Sequence, residues 1–117
     1  DMARRLASQG VGLIAGQHAH VVQPVERIGD AVAAYGLGDF LGTVFARQLW
    51  PGRIGAIFVA DISTEPKTLG KVAAYRMQFF YRLREGQRER LLPTAALGGA
   101  LRNKVDARLA AIFRAKD

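Results

Sequence analysis

The only two histidines of the chain, His18 and His20, stand one residue apart in "GLIAGQHAH", behind a short apolar run and just after Gly16. In an extended segment, residues i and i+2 face the same side, so both imidazoles can converge on one ligand with nitrogens suited to zinc, manganese, iron or nickel. Gly16 leaves space for a ligand or another backbone to come close. The spacing carries two readings: a pair of metal ligands, or surface and capping histidines. A catalytic metal centre draws on roughly three or more protein ligands, often with a bridging carboxylate. Glu26, Asp30 and Asp39 lie nearby, too few to complete a two-metal site. Glu26 reads as a charge on a strand face and Asp30 as a turn residue. Most of any metal centre would therefore lie elsewhere.

Other chemistry has little to stand on. The absence of cysteine removes thiolate metal sites, a cysteine nucleophile and disulfides. Ser8 and Ser63 lack a G-x-S-x-G context, and the "GLG" of Gly36 to Gly38 lacks the further glycine and helix of a dinucleotide fingerprint. Lys and Arg number 17 against 10 for Asp and Glu, a formal +7 that suits an anionic partner. The cations are scattered from Arg4 and Arg5 through Arg47, Arg53, Lys67, Lys71, Arg76, Arg82 and Arg84, as solvated faces are. A nucleic-acid partner would rest on charge alone, and none is assigned.

The elements that would position the histidines follow from pattern. A length of 117 residues with 50% hydrophobic content fits one small domain, and no apolar run reaches a bilayer span. Asp1 can cap a helix with Met2, Ala3, Leu6 and Ala7 inward and Arg4 and Arg5 outward, stopped at Gly10. "VGLIAG" reads as a short buried strand, which places His18 and His20 in the loop at its carboxyl end, where α/β sheets gather ligand chemistry. "VVQPVERIG" and "AVAAYGLG" read as a hairpin about Gly29-Asp30. "LGTVFARQLW" is open between loop and short helix. "RIGAIFVADIS" is apolar on both faces, as in an interior strand. In "KVAAYRMQFFYRL", Tyr75, Met77, Phe79, Tyr81 and Leu83 face one way and Arg76, Gln78 and Arg82 the other, giving a half-buried antiparallel strand whose aromatics serve the core. From Thr94, Leu97, Leu101, Val105, Leu109, Ile112 and Phe113 recur at helical spacing. The expected class is α/β or α+β.

The stretches "GQHAHVVQPVE" (16–26) and "YGLGDF" (35–40) resemble the signature of bacterial capsule-synthesis proteins of the CapA type, also called poly-γ-glutamate synthesis accessory proteins. Those typically read G-H-H-P-H-V-x-Q-x-x-E and then Y-S-L-G-N-F. Gln17 stands here for the usual first histidine, Ala19 for proline, and Gly36 and Asp39 for serine and asparagine. The likeness extends over Asp1 to about Pro93, with residues 94–117 as an added C-terminal helix.

That family is similar to the calcineurin-like metallophosphoesterases, which implies a sandwich of two mixed sheets flanked by helices. Its last ligand element, G-x-H-x-H, falls on Gly16, His18 and His20, and the earlier ligand motifs are not in this sequence. The chain then reads as the C-terminal part of such a domain, either one domain or a fragment over 1–117, completed by an N-terminal part. The resemblance implies His18 and His20 as metal ligands and, with Asp39, as site residues, Asp39 being either a ligand or a loop cap. It further implies divalent metal ions (Mn, Zn or Fe), two in a complete site, and metal-dependent hydrolase-like chemistry. The expected partners are an anionic polymer such as poly-γ-glutamate or a phosphorylated substrate, and a capsule synthase. The implied location is the cell envelope, membrane-associated or extracytoplasmic. A non-catalytic module binding an envelope polymer or a synthase is the alternative.

Overall fold

The computed structural model describes residues 1–41 and 50–114, so most of the "LGTVFARQLW" stretch lies outside the described residues. The first helix, α1 (Met2–Ser8), forms as its cap residue dictates, with the Asp1 carboxylate accepting from the Arg4 amide at 3.5 Å. Only Ala3 of α1 is buried; Met2 is exposed, because α1 lies on the surface rather than between layers.

Strands β1 (Leu13–Ala15), β2 (Val25–Ile28) and β3 (Ala31–Ala34) build a mixed sheet in the order β1-β3-β2. β2 and β3 form the expected hairpin about Gly29-Asp30, with Ile28 opposite Ala31. β1 runs parallel to β3, pairing Leu13 with Val32 and Ala15 with Ala34. The expectation of a buried β1 is corrected: Leu13 is exposed, since β1 is an edge strand of this sheet. β3 is the buried centre, and small side chains at Ala31, Ala33 and Ala34 let its neighbours close over it.

Strands β4 (Ile54–Ile62), β5 (Val72–Glu85) and β6 (Arg88–Pro93) form an antiparallel meander. Here β4 is an edge rather than an interior strand, and Ile57 on its second face is exposed. β5 is the central strand; its 14 residues reach ~46 Å at ~3.3 Å each, most of the 52 Å long axis of the molecule. The radius of gyration, 16.0 Å, accordingly exceeds the ~13 Å of a compact chain this long.

The alternation along β5 is real on its inner face. Tyr81, Phe79 and Met77 stand directly opposite Ile54, Ala56 and Phe58 and are buried or half-buried, whereas Tyr75, opposite Ala60, is exposed rather than part of the core as the alternation led us to expect. The outer face departs from expectation, because Arg82 is buried at 1% exposure. A short 3-10 turn, Trp50–Arg53, crosses that end of β5, so that Arg82 donates to the Gly52 carbonyl at 2.5 Å and Arg53 to the Arg82 carbonyl at 3.1 Å. A second 3-10 turn, Thr94–Ala96, precedes α2 (Gly99–Phe113), whose Val105 is fully buried in a cluster with Val22, Ile54, Ala56, Tyr81 and Leu97. The other cluster centres on Val25, Val32, Ala34 and Val72; Leu37, Met77 and Phe113 touch both. Among the described residues, two three-stranded sheets and two helices make an α+β fold, as the sequence led us to expect.

Candidate functional site

The hairpin register decides where the site residues meet. Beyond the β2–β3 ladder the two arms stay paired: the Tyr35 amide donates to the Pro24 carbonyl at 3.1 Å and the Gln23 amide to the Gly36 carbonyl at 3.0 Å. Val22 bridges Leu37 in antiparallel fashion. These pairs keep the register of Val25 with Ala34, so two residues further out His20 falls opposite Asp39. Their side chains meet there, with His20 Nδ1 2.9 Å from Asp39 Oδ1 and 3.0 Å from Oδ2. The His20 side chain is 61% exposed and that of Asp39 24%.

His18 and His20 do converge, with ring centroids 6.4 Å apart, but not by the extended alternation expected of them. Both have positive φ, 93° at His18 and 59° at His20. Such backbone costs a non-glycine residue about 1–3 kcal/mol and gathers at functional loops. Here a turned backbone, not an extended one, brings the two rings to 6.4 Å of each other.

Two glycines of the matching stretches are required by close approach. A Cβ at Gly16 would collide with the Tyr35 carbonyl, because β1 runs out beside β3 at this point. At Gly38, φ is 71° and a Cβ would stand 2.6 Å from the Ile54 carbonyl oxygen. The Ala56 amide donates to the Leu37 carbonyl at 2.8 Å, so β4 forms the floor on which the Asp39 loop rests.

The other carboxylates are engaged away from the histidines. Glu26 accepts from Arg4 Nη2 at 2.6 Å and from the Tyr35 hydroxyl at 2.6 Å. The hydrogen bond to the Glu26 carboxylate, then burial, hold the Tyr35 phenol above its ordinary pKa, since ionising it would break that bond beside a negative charge. Asp30 sits in the turn and pairs with Lys71 Nζ at 2.7 Å, and the hydrogen bond and charge of Lys71 lower its pKa. Both residues thus take the strand-face and turn roles read from the sequence. The larger hollows also lie away from the histidines. One of about 510 Å³ is lined by Arg4, Asp30, Lys71 and neighbouring glycines; another of about 650 Å³ runs over Phe40, Ile57, Phe80 and Leu91.

Among the described residues, no cluster of three or more His, Asp or Glu side chains is placed to hold a metal ion. The donor set here is two imidazoles and one carboxylate that faces an imidazole. Imidazole nitrogens fit zinc, manganese or iron, so these residues fit part of a metal site rather than a complete one. No helix of the described residues is long and apolar enough to cross a membrane.

This is a mixed-sheet α+β chain that presents a histidine pair, one member braced by a carboxylate, in a loop at the carboxyl end of a strand. Residues 1–43 match the family model described as Bacterial capsule synthesis protein PGA_cap, so over that segment the chain is similar to the bacterial capsule-synthesis family. The match includes Gly16, His18, His20 and the whole of "YGLGDF". Comparison with curated proteins and with solved structures finds no match.

Proposed function

We propose that the chain serves bacterial capsule synthesis and that His18 and His20 contribute to a divalent-metal cleft of phosphoesterase type, the remaining ligands coming from outside the described residues. The observation that carries this reading is the braced exposed imidazole. Asp39 occupies Nδ1 of His20 and the side chain is 61% exposed, which leaves Nε2 as the ring nitrogen available to a ligand. The family match over residues 1–43 supports the biological setting. A bound divalent ion would polarise a phosphoryl or acyl group and lower the pKa of its water. In that chemistry His18 and His20 would hold the ion, and Asp39 would hold the His20 ring.

The test is direct. Paramagnetic Mn²⁺ added to the chain should broaden the His18 and His20 ring resonances and the neighbouring Gln17 and Val21 amides before the signals of exposed carboxylates, and the His18→Ala/His20→Ala pair should remove the broadening of those amides. In capsule-forming cells the same pair should abolish capsule. Broadening spread over surface carboxylates, with capsule intact in the double variant, would reject the metal reading. A second reading, binding of an anionic envelope polymer through basic side chains, draws on the +7 formal charge. Salt-sensitive binding of poly-γ-glutamate that survives loss of both histidines would favour it.

A further inference from the structure

The geometry points to Asp39 as a positioning residue that fixes the tautomer of His20 and thereby selects Nε2 as the atom His20 offers to a ligand. The tautomer claim stands on the contact itself; its use in metal binding rests on the function proposed above. Both carboxylate oxygens of Asp39 lie within hydrogen-bond reach of one ring nitrogen, Nδ1, at 2.9 and 3.0 Å. An ionised carboxylate can only accept, so Nδ1 must carry the hydrogen and a neutral ring must keep its lone pair on Nε2. A neutral histidine side chain free in water favours the opposite tautomer, with the hydrogen on Nε2. Asp39 therefore reverses an intrinsic preference.

The contact also orients the ring. His20 is 61% exposed and would otherwise sample several rotamers, whereas Asp39 is 24% exposed and rests on the β4 floor through Gly38 and Leu37. A carboxylate behind a ligating imidazole raises the basicity of the far nitrogen, and loss of such a partner lowers metal affinity by roughly 10–100-fold. His18 lies outside this contact and serves as an internal reference.

Long-range ¹⁵N–¹H correlation spectra of the metal-free chain, recorded where both imidazoles are neutral, read the tautomers directly. The wild type should show His20 protonated at Nδ1. Asp39→Ala should shift it toward the Nε2-protonated form, and Asp39→Asn, whose amide can either accept from Nδ1 or donate to it, should fall between the wild type and Asp39→Ala. His18 should be the same in all three, and amide spectra report that the variants stay folded. A wild-type His20 protonated at Nε2, or an Asp39→Ala spectrum unchanged at His20, would overturn the assignment. With Zn²⁺ added, the His20 Nε2 signal should shift, and Asp39→Ala should weaken that binding by roughly 10–100-fold. Equal zinc affinity in wild type and Asp39→Ala overturns the positioning role even if the tautomer is as stated. If zinc produces no shift in the wild type, the metal reading fails and the tautomer alone decides the role of Asp39.

Discussion

Gly38→Ala tests whether the Asp39 loop depends on β4 for its place. Two costs add at this position. With φ at 71°, an alanine pays the left-handed penalty of about 1–2 kcal/mol, and its Cβ would lie 2.6 Å from the Ile54 carbonyl oxygen. Relief of that overlap requires backbone movement, a class of overpacking that costs about 1–3 kcal/mol. Gly86→Ala is the matched control, since Gly86 has φ 61° and open space where its Cβ would go. It should pay the first cost alone. For 117 residues an unfolding entropy of ~2.1 cal/mol/K per residue makes 1 kcal/mol worth ~4 °C in Tm. Thermal unfolding followed by circular dichroism should then show losses of ~4–8 °C for Gly86→Ala and ~8–20 °C for Gly38→Ala. The His20 Nδ1 proton signal should weaken only in Gly38→Ala. Equal Tm losses in the two variants would refute the claim that Gly38 is held against Ile54.

Three further outcomes follow from other contacts. Val105→Ala should lower stability by about 2–3 kcal/mol in denaturant unfolding, because a fully buried valine loses two methyl groups and leaves a void between α2 and the second sheet; a loss under about 0.5 kcal/mol would detach α2 from that core. Tyr35 should ionise above the ordinary 10.0 and Glu26→Gln should bring it back down, as read by phenolate absorbance; the raised folded value means this bond stabilises below pH 10 and is lost as pH rises through it. Ionisation of Tyr35 at its ordinary value in the wild type would count against that hydrogen bond. His18→Gly should leave stability unchanged or raise it by up to about 1 kcal/mol, since glycine accepts φ 93° without strain, while removing one of the two rings proposed to sense Mn²⁺. A clear destabilisation would show that the ring itself holds the loop.

Local signals made several elements legible in the sequence. Asp1 ahead of an apolar-periodic run gave α1, Gly29-Asp30 between alternating stretches gave the hairpin, and the leucine and valine spacing after Thr94 gave α2. β6 was missed because "RERLLP" is charged at its start, although Gly86-Gln87 between Glu85 and Arg88 is a two-residue hairpin signal. The edge positions of β1 and β4 depend on strand order, which apolar content does not encode. The burial of Arg82 depends on Trp50–Arg53 crossing β5, a tertiary event invisible to alternation. The site is legible in the hairpin register. Once the turn is fixed at Gly29-Asp30, projecting the same register outward pairs His20 with Asp39. The sequence leaves Asp39 between ligand and loop cap, and its contact with the His20 imidazole follows from register alone. The left-handed backbone at His18 and His20 had no sequence signal beyond histidine's tolerance of it.

The floor beneath the Asp39 loop has a practical meaning for anyone wishing to move this site. Residues 16–40 look like a portable hairpin, complete with both histidines and their carboxylate. Yet the Leu37 carbonyl is held by the Ala56 amide, and Gly38 is seated against Ile54, both on a strand of the other sheet. The smallest transplantable unit is therefore discontinuous: a graft that carries the hairpin without 54–56 would deliver the rings while leaving their alignment behind.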